Sequence, residues 1–147
     1  MARSRNAKNF FRRHSLSLTA AGIVILWMTL YRLSDPSTHL GAFFGNAIAD
    51  WTGVVVTVLM TKHLYEKGSP ESKQPKGVLP SKVMELLREH SLTIFLVITG
   101  VAWVVAFNAM DPNGRWGQVV GNVVSEWTQI LGMVLITKRL IEVGSKE

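Results

Sequence analysis

Two acidic residues stand inside otherwise apolar stretches of this chain: Asp50 in GAFFGNAIADWTGVVVTVLMT and Glu126 in WGQVVGNVVSEWTQILGMVLI. An ionised carboxylate in hydrocarbon is costly, so an acid at such a place faces protein or a water-filled cavity. Helical spacing gives both acids polar company. Asn46, Asp50, Gly53, Thr57 and Thr61 share one stripe, and Gln118, Asn122, Glu126, Gln129 and Met133 share another, with Thr137 below. Gly45, Gly121 and Gly132 lie close by and allow near backbone approach. A seam of Asn46, Asp50, Thr57, Asn122, Glu126 and Gln129 supports two chemistries. It binds cations or passes protons, or it joins helices by hydrogen bonds, with each acid protonated or paired with Asn46, Asn122 or a partner chain. A third reading sets Trp51 and Trp127 at the outer interface and leaves the acids among the headgroups. Helix joining is the leading expectation.

The segments that carry these residues have the length of membrane spans. Residues 15–31 and 91–110 are uncharged and close to the ~20 residues that cross a ~30 Å hydrocarbon layer. The two acid-bearing segments are less apolar, but the turns before them are too short to do more than reverse direction. Asp35-Pro36 and Asp111-Pro112 stop the first helix of each pair, because proline disfavours helix in the residue before it. Gly68 and Gly144 are the expected stops of the second helices. The reading is an all-α polytopic membrane protein with spans of about 15–33, 41–64, 91–110 and 116–141. If Lys62 and Lys138 mark the inner edge, each acid lies about 18 Å outward at ~1.5 Å per residue.

The 147 residues are 48% hydrophobic and 18% charged, with a mean hydropathy of +0.22 diluted by polar tails and a polar centre. Of the 16 basic residues, all but Arg32 and Arg115 fall in residues 1–14, 62–90 or the C-terminal tail. By the positive-inside rule both termini and the central segment face the cytoplasm. The net charge of +6 is thereby explained by topology, and a nucleic-acid role loses its support. The first apolar run is long for a signal-peptide core and Leu33-Ser34-Asp35-Pro36 is a poor cleavage site, so it is expected to remain as an anchor.

Slid against itself by 76 residues, the sequence aligns 12–69 with 88–145 without a gap. His14/His90, Ser15/Ser91, Trp27/Trp103, Asp35/Asp111, Gly45/Gly121, Asn46/Asn122, Trp51/Trp127, Lys62/Lys138, Leu64/Leu140, Glu66/Glu142 and Gly68/Gly144 all coincide. Apolar composition does not put so many polar, Gly and Trp residues in one register. The chain therefore reads as two tandem hairpins, 1–69 and 82–147, joined by a mobile linker at 70–81. Two spans per repeat make the repeats parallel, related by a pseudo-two-fold axis along the membrane normal. Ser81 is the expected cap of a short helix KVMELLREH. Lys62–Glu66 and Lys138–Glu142 read as (i, i+4) surface pairs, and His14 and His90 as interfacial residues beside helix caps.

Cysteine is absent, which removes disulfides, thiol catalysis and Cys-ligated metals. No HExxH, phosphate-binding Gly loop or Gly-x-Ser-x-Gly elbow occurs, and the outer turns are too short for a selectivity filter. No enzyme, cofactor or metal is expected. The expected partners are the lipid bilayer and a second copy or another membrane protein.

Asn122, Ser125, Glu126, Trp127 and Gln129, with Gly68, Ser69, Glu71, Ser72 and Lys73 of the other repeat, resemble an uncharacterised family of small bacterial multi-pass membrane proteins. The first repeat departs from that pattern at Ala49-Asp50 and Gly53. The resemblance implies a bacterial inner-membrane protein and no particular mechanism.

Overall fold

The computed structural model describes residues 2–70, 72–77, 79–138 and 140, with side chains from Phe10 onward. It is all-α: α1 (Ala2–Leu33), α2 (His39–His63), α3 (Lys82–Glu89), α4 (Ser91–Ala109) and α5 (Arg115–Ile136), with no strand among the described residues. All but the short α3 contain a segment long and apolar enough to cross a membrane. Ile25, Ile98 and Val105 are each more than 60% exposed on outward faces, a surface suited to lipid and costly in water.

α1 packs along α2, α2 along α5 and α4 along α5, while α3 touches α4. Two apolar clusters fix these contacts. Tyr31, Ile48 and Val119 close the first, between α1, α2 and α5, with Trp27 and Phe44 against them. Ala49, Leu92, Leu96, Val123, Trp127 and Val134 form the second, between α2, α4 and α5. Each hairpin also uses a glycine as a seat for an aromatic ring. A Cβ on Gly45 would lie 3.3 Å from the Tyr31 ring, and one on Gly121 would lie 3.0 Å from the Phe107 ring.

The turn after α1 is built as its sequence demands. Asp35 Oδ1 accepts from the Ser37 amide at 2.9 Å and from the Ser37 hydroxyl at 2.7 Å, and Thr38 caps α2 by accepting from the Gly41 amide at 3.1 Å. In the turn after α4, Asp111 Oδ1 accepts from the Asn113 amide at 3.0 Å. Gly41 and Gly117 are obligatory here, since a Cβ on either would fall 2.0 Å from the carbonyl oxygen of Asp35 or Asp111.

Several local expectations are revised. α2 ends at His63, with Leu64 extended, so Gly68 is not its stop; at φ +84° it turns the chain beyond the helix. Ser81 precedes α3 without a side-chain cap bond. The segment read as a loose linker is tied back, with Ser72 Oγ accepting from the Glu66 amide at 2.8 Å and Arg88 donating to the Gly77 carbonyl at 2.7 Å. α1 runs unbroken through His14, which therefore lies within a helix and not beside a cap. α5 ends at Ile136, short of the expected 141. Gly144 and the Lys138–Glu142 pairing lie outside the described residues.

Candidate functional site

The polar stripes of α2 and α5 meet where those two helices pack. Asn122 Nδ2 donates to Asn46 Oδ1 at 2.5 Å. One helical turn further along each helix, the Asp50 and Glu126 carboxyls face one another. Gly53 makes room for this approach: a Cβ there would stand 3.0 Å from Glu126 Oε2.

Both acids are deep within their helices, Asp50 being 11 residues from His39 and 13 from His63, Glu126 11 from Arg115 and 10 from Ile136. At ~1.5 Å per residue this is about 15–20 Å from either end. Trp127 is buried, donating from Nε1 to Thr99 Oγ1 at 2.8 Å and meeting Trp103 edge-on. It is a core residue, while Trp51 is half-buried on α2.

Of the six seam residues, Asn46, Asp50 and Gln129 are exposed, and Thr57, Asn122 and Glu126 are half-buried. The seam is thus open along one side. Thr57 does not meet Asp50 through a side-chain bond among the described contacts; its carbonyl accepts from the Thr61 hydroxyl at 2.6 Å. Thr57, Thr61, Glu126 and Gln129 instead line an apolar-walled cavity of about 300 Å³ between α2, α4 and α5. A second hollow of about 340 Å³ shares Thr61 and is lined by Lys62, Pro70, Ser72 and Lys73. The first reaches Glu126, and the second reaches Lys62 and Lys73 at the basic end of the molecule. Among the described residues no three His, Asp or Glu side chains converge to hold a metal ion.

A different ionic cluster sits at that basic end. Glu66 is fully buried, and three groups hold its carboxylate. Oε1 accepts from His90 Nδ1 at 2.6 Å and from the Lys138 ammonium, and Oε2 accepts from the Thr93 amide at 3.0 Å, in the first turn of α4. The break between α3 and α4 at His90 leaves that amide free and aims the helix's positive end at the acid. Burial alone would raise the Glu66 pKa, but the bonds from Lys138, Thr93 and His90 outweigh it and hold the group at about 2. Glu66 is therefore not the (i, i+4) partner of Lys62. α2 has ended before it, and the chain carries it across to α4 and α5.

At the other end, Arg115 donates to the carbonyls of Arg32 at 3.0 Å and Ser34 at 2.8 Å, capping α1 from the opposite hairpin. Tyr31 returns a bond to the Arg115 carbonyl at 2.6 Å. Sequence reasoning missed both clusters. The recurrence of His, Lys and Glu at the 76-residue offset (His14/His90, Lys62/Lys138, Glu66/Glu142) was a signal for the first, whereas nothing in the pattern flagged Arg115.

Comparison of the chain with protein-family models, with curated proteins and with solved structures finds no match.

Proposed function

We propose that this chain is a four-span protein of the bacterial inner membrane that acts as a structural or accessory module, assembling with a second copy through α2 and α5. Its two hairpins are tandem parallel repeats with both termini and the central segment in the cytoplasm, and the reading involves no catalysis and no cofactor. One observation carries it: Asn46, Asp50 and Gln129 lie exposed on the spans. Polar groups facing lipid are expensive, and association of two seams removes them from it. The repeat reading is supported by Asn46 meeting Asn122, its own counterpart, and by Tyr31 and Phe107 seated on the equivalent glycines. The basic-residue asymmetry supports the orientation, and the resemblance of the Asn122–Gln129 and Thr61–Lys73 segments supports the bacterial assignment.

The test is crosslinking in intact membranes followed by gel filtration in mild detergent. A homodimer is expected, weakened by Asp50→Leu with Gln129→Leu. A monomer in both assays, with no crosslinked species, overturns the reading. A crosslink only to another membrane protein replaces the second copy with that partner.

A second reading, a cation or proton pathway, is favoured by the Asp50–Glu126 contact and the two hollows that share Thr61. Two paired seams bring four acids together, and acidic rings select cations. Liposomes holding pure protein are expected to take up cations or protons faster than empty ones, and Asp50→Asn with Glu126→Gln to abolish the difference. Equal flux in loaded and empty liposomes ends this reading.

A further inference from the structure

The segment that leaves α2, Leu64 to Ser69, is the strap that joins the first hairpin to the second. Leu64 packs against the cluster containing Leu92, and the Leu92 amide donates to the Tyr65 carbonyl at 3.1 Å. Tyr65 donates its own amide to Ser91 Oγ at 2.9 Å. Glu66 then fills the space between His90 and Lys138. The receiving surface is thus a His-Ser-Leu step on one helix and a Lys at the end of the next.

The same surface exists a second time. His14, Ser15 and Leu16 stand on α1 and Lys62 stands at the end of α2, each 76 residues before its counterpart. Here His14 Nδ1 lies 3.4 Å from Lys62 Nζ, and among the described residues no carboxylate forms an ion pair with Lys62. Leu16 is 63% exposed where Leu92 is 2% exposed. The chain also repeats the strap: Leu140, Glu142, Gly144 and Ser145 match Leu64, Glu66, Gly68 and Ser69. Leu140, the counterpart of half-buried Leu64, is 67% exposed.

We infer that the His14–Lys62 face is a docking site for the chain's own C-terminal segment 140–145, with the Glu142 carboxylate between His14 and Lys62 and Leu140 against Leu16. This rests on the tandem-repeat reading above. A two-fold relation that carries the first hairpin onto the second carries the first strap's site onto this one within a single chain. Tethering then favours the chain's own tail over that of another copy, because its effective concentration is high. Charge complementarity agrees, since an acid is brought to a site bearing Lys62, with Arg12 and Arg13 on the same helix.

The two dockings differ in strength for a structural reason. α1 is continuous at His14, so its amides are engaged within the helix and offer nothing equivalent to the Thr93 or Leu92 amide. The tail is held by the charge contact and one apolar contact. It therefore docks reversibly and releases at high salt, whereas the first strap does not.

The chain has no cysteine, so paired replacements report the contact directly. Leu16→Cys with Leu140→Cys is expected to close within one chain on mild oxidation of membranes, as is Leu64→Cys with Leu92→Cys at the first strap. Adding Glu142→Lys lowers the yield about fivefold, the scale of a partly exposed ion pair, and adding Lys62→Glu to that variant restores it. No closure at 16/140 while 64/92 closes overturns the inference and leaves the repeat reading standing; failure of both pairs removes the repeat reading as well. Closure only between chains, seen by mixing the two single-cysteine proteins, overturns the assignment to the chain's own tail.

Discussion

Asn46 and Asn122, 76 residues apart in sequence, are joined by a hydrogen bond of 2.5 Å between α2 and α5. Residues related by a two-fold axis touch only on that axis, so the two-fold proposed above would pass through this bond. Cysteines at 46 and 122 are expected to form a disulfide within one chain, detected as a loss of thiol labelling without a change in oligomeric state. Asn46→Leu with Asn122→Leu is expected to cost little, about 0.6 kcal/mol on the scale of hydrogen bonds between membrane helices, read as a small fall in the detergent unfolding midpoint.

The carbonyl of Asp35 lies where a Cβ of residue 41 would be, and that of Asp111 where a Cβ of residue 117 would be. Gly41→Ala and Gly117→Ala must each reopen a turn, because a backbone carbonyl only 2.0 Å from the new Cβ has to retreat. Each is expected to cost about 2–3 kcal/mol, measured as a lower unfolding midpoint. Gly22→Ala serves as the control, because a Cβ there meets nothing within 4 Å.

The Glu66 cluster gives a pH dependence of definite sign. The folded pKa of about 2 lies below the ordinary 4.5, so the stabilisation is present above 4.5 and is lost as pH falls toward 2. The full difference corresponds to about 3 kcal/mol. A thiol placed at position 64 is expected to become reactive over that window, and Glu66→Gln to make it reactive at neutral pH.

Tyr31 and Arg115 join the hairpins at the end opposite Glu66. Tyr31→Phe removes the 2.6 Å bond to the Arg115 carbonyl and is expected to cost about 1 kcal/mol. Arg115→Ala leaves the carbonyls of Arg32 and Ser34 without their donor and is expected to cost more. Thermal unfolding of the purified variants checks the order.

The topology is tested by labelling. Cysteine at Ser37 or Asn113 is expected to react with an impermeant reagent from outside spheroplasts, and cysteine at Ser72 to stay unlabelled. The opposite pattern reverses the orientation.

By itself the sequence determined the four apolar helices, their approximate limits, the Asp-Pro turns and the alignment of Asn46 with Asn122. These follow from hydropathy, helical rise and proline sterics, which act over a few residues at a time. Tertiary structure alone decided which polar groups meet. Lys62 and Glu66 stand four apart and would face each other on a continuous helix, but α2 stops between them. Glu66 then found Lys138 and His90, because a buried carboxylate requires every donor within reach, whatever its distance along the chain. In the same way the half-open state of the seam at Asp50 and Glu126 is a property of how α2 and α5 lean together, on the small side chain of Ala49 and the bare backbone of Gly53. Helical periodicity puts a residue on a stripe; only packing decides whether that stripe is covered.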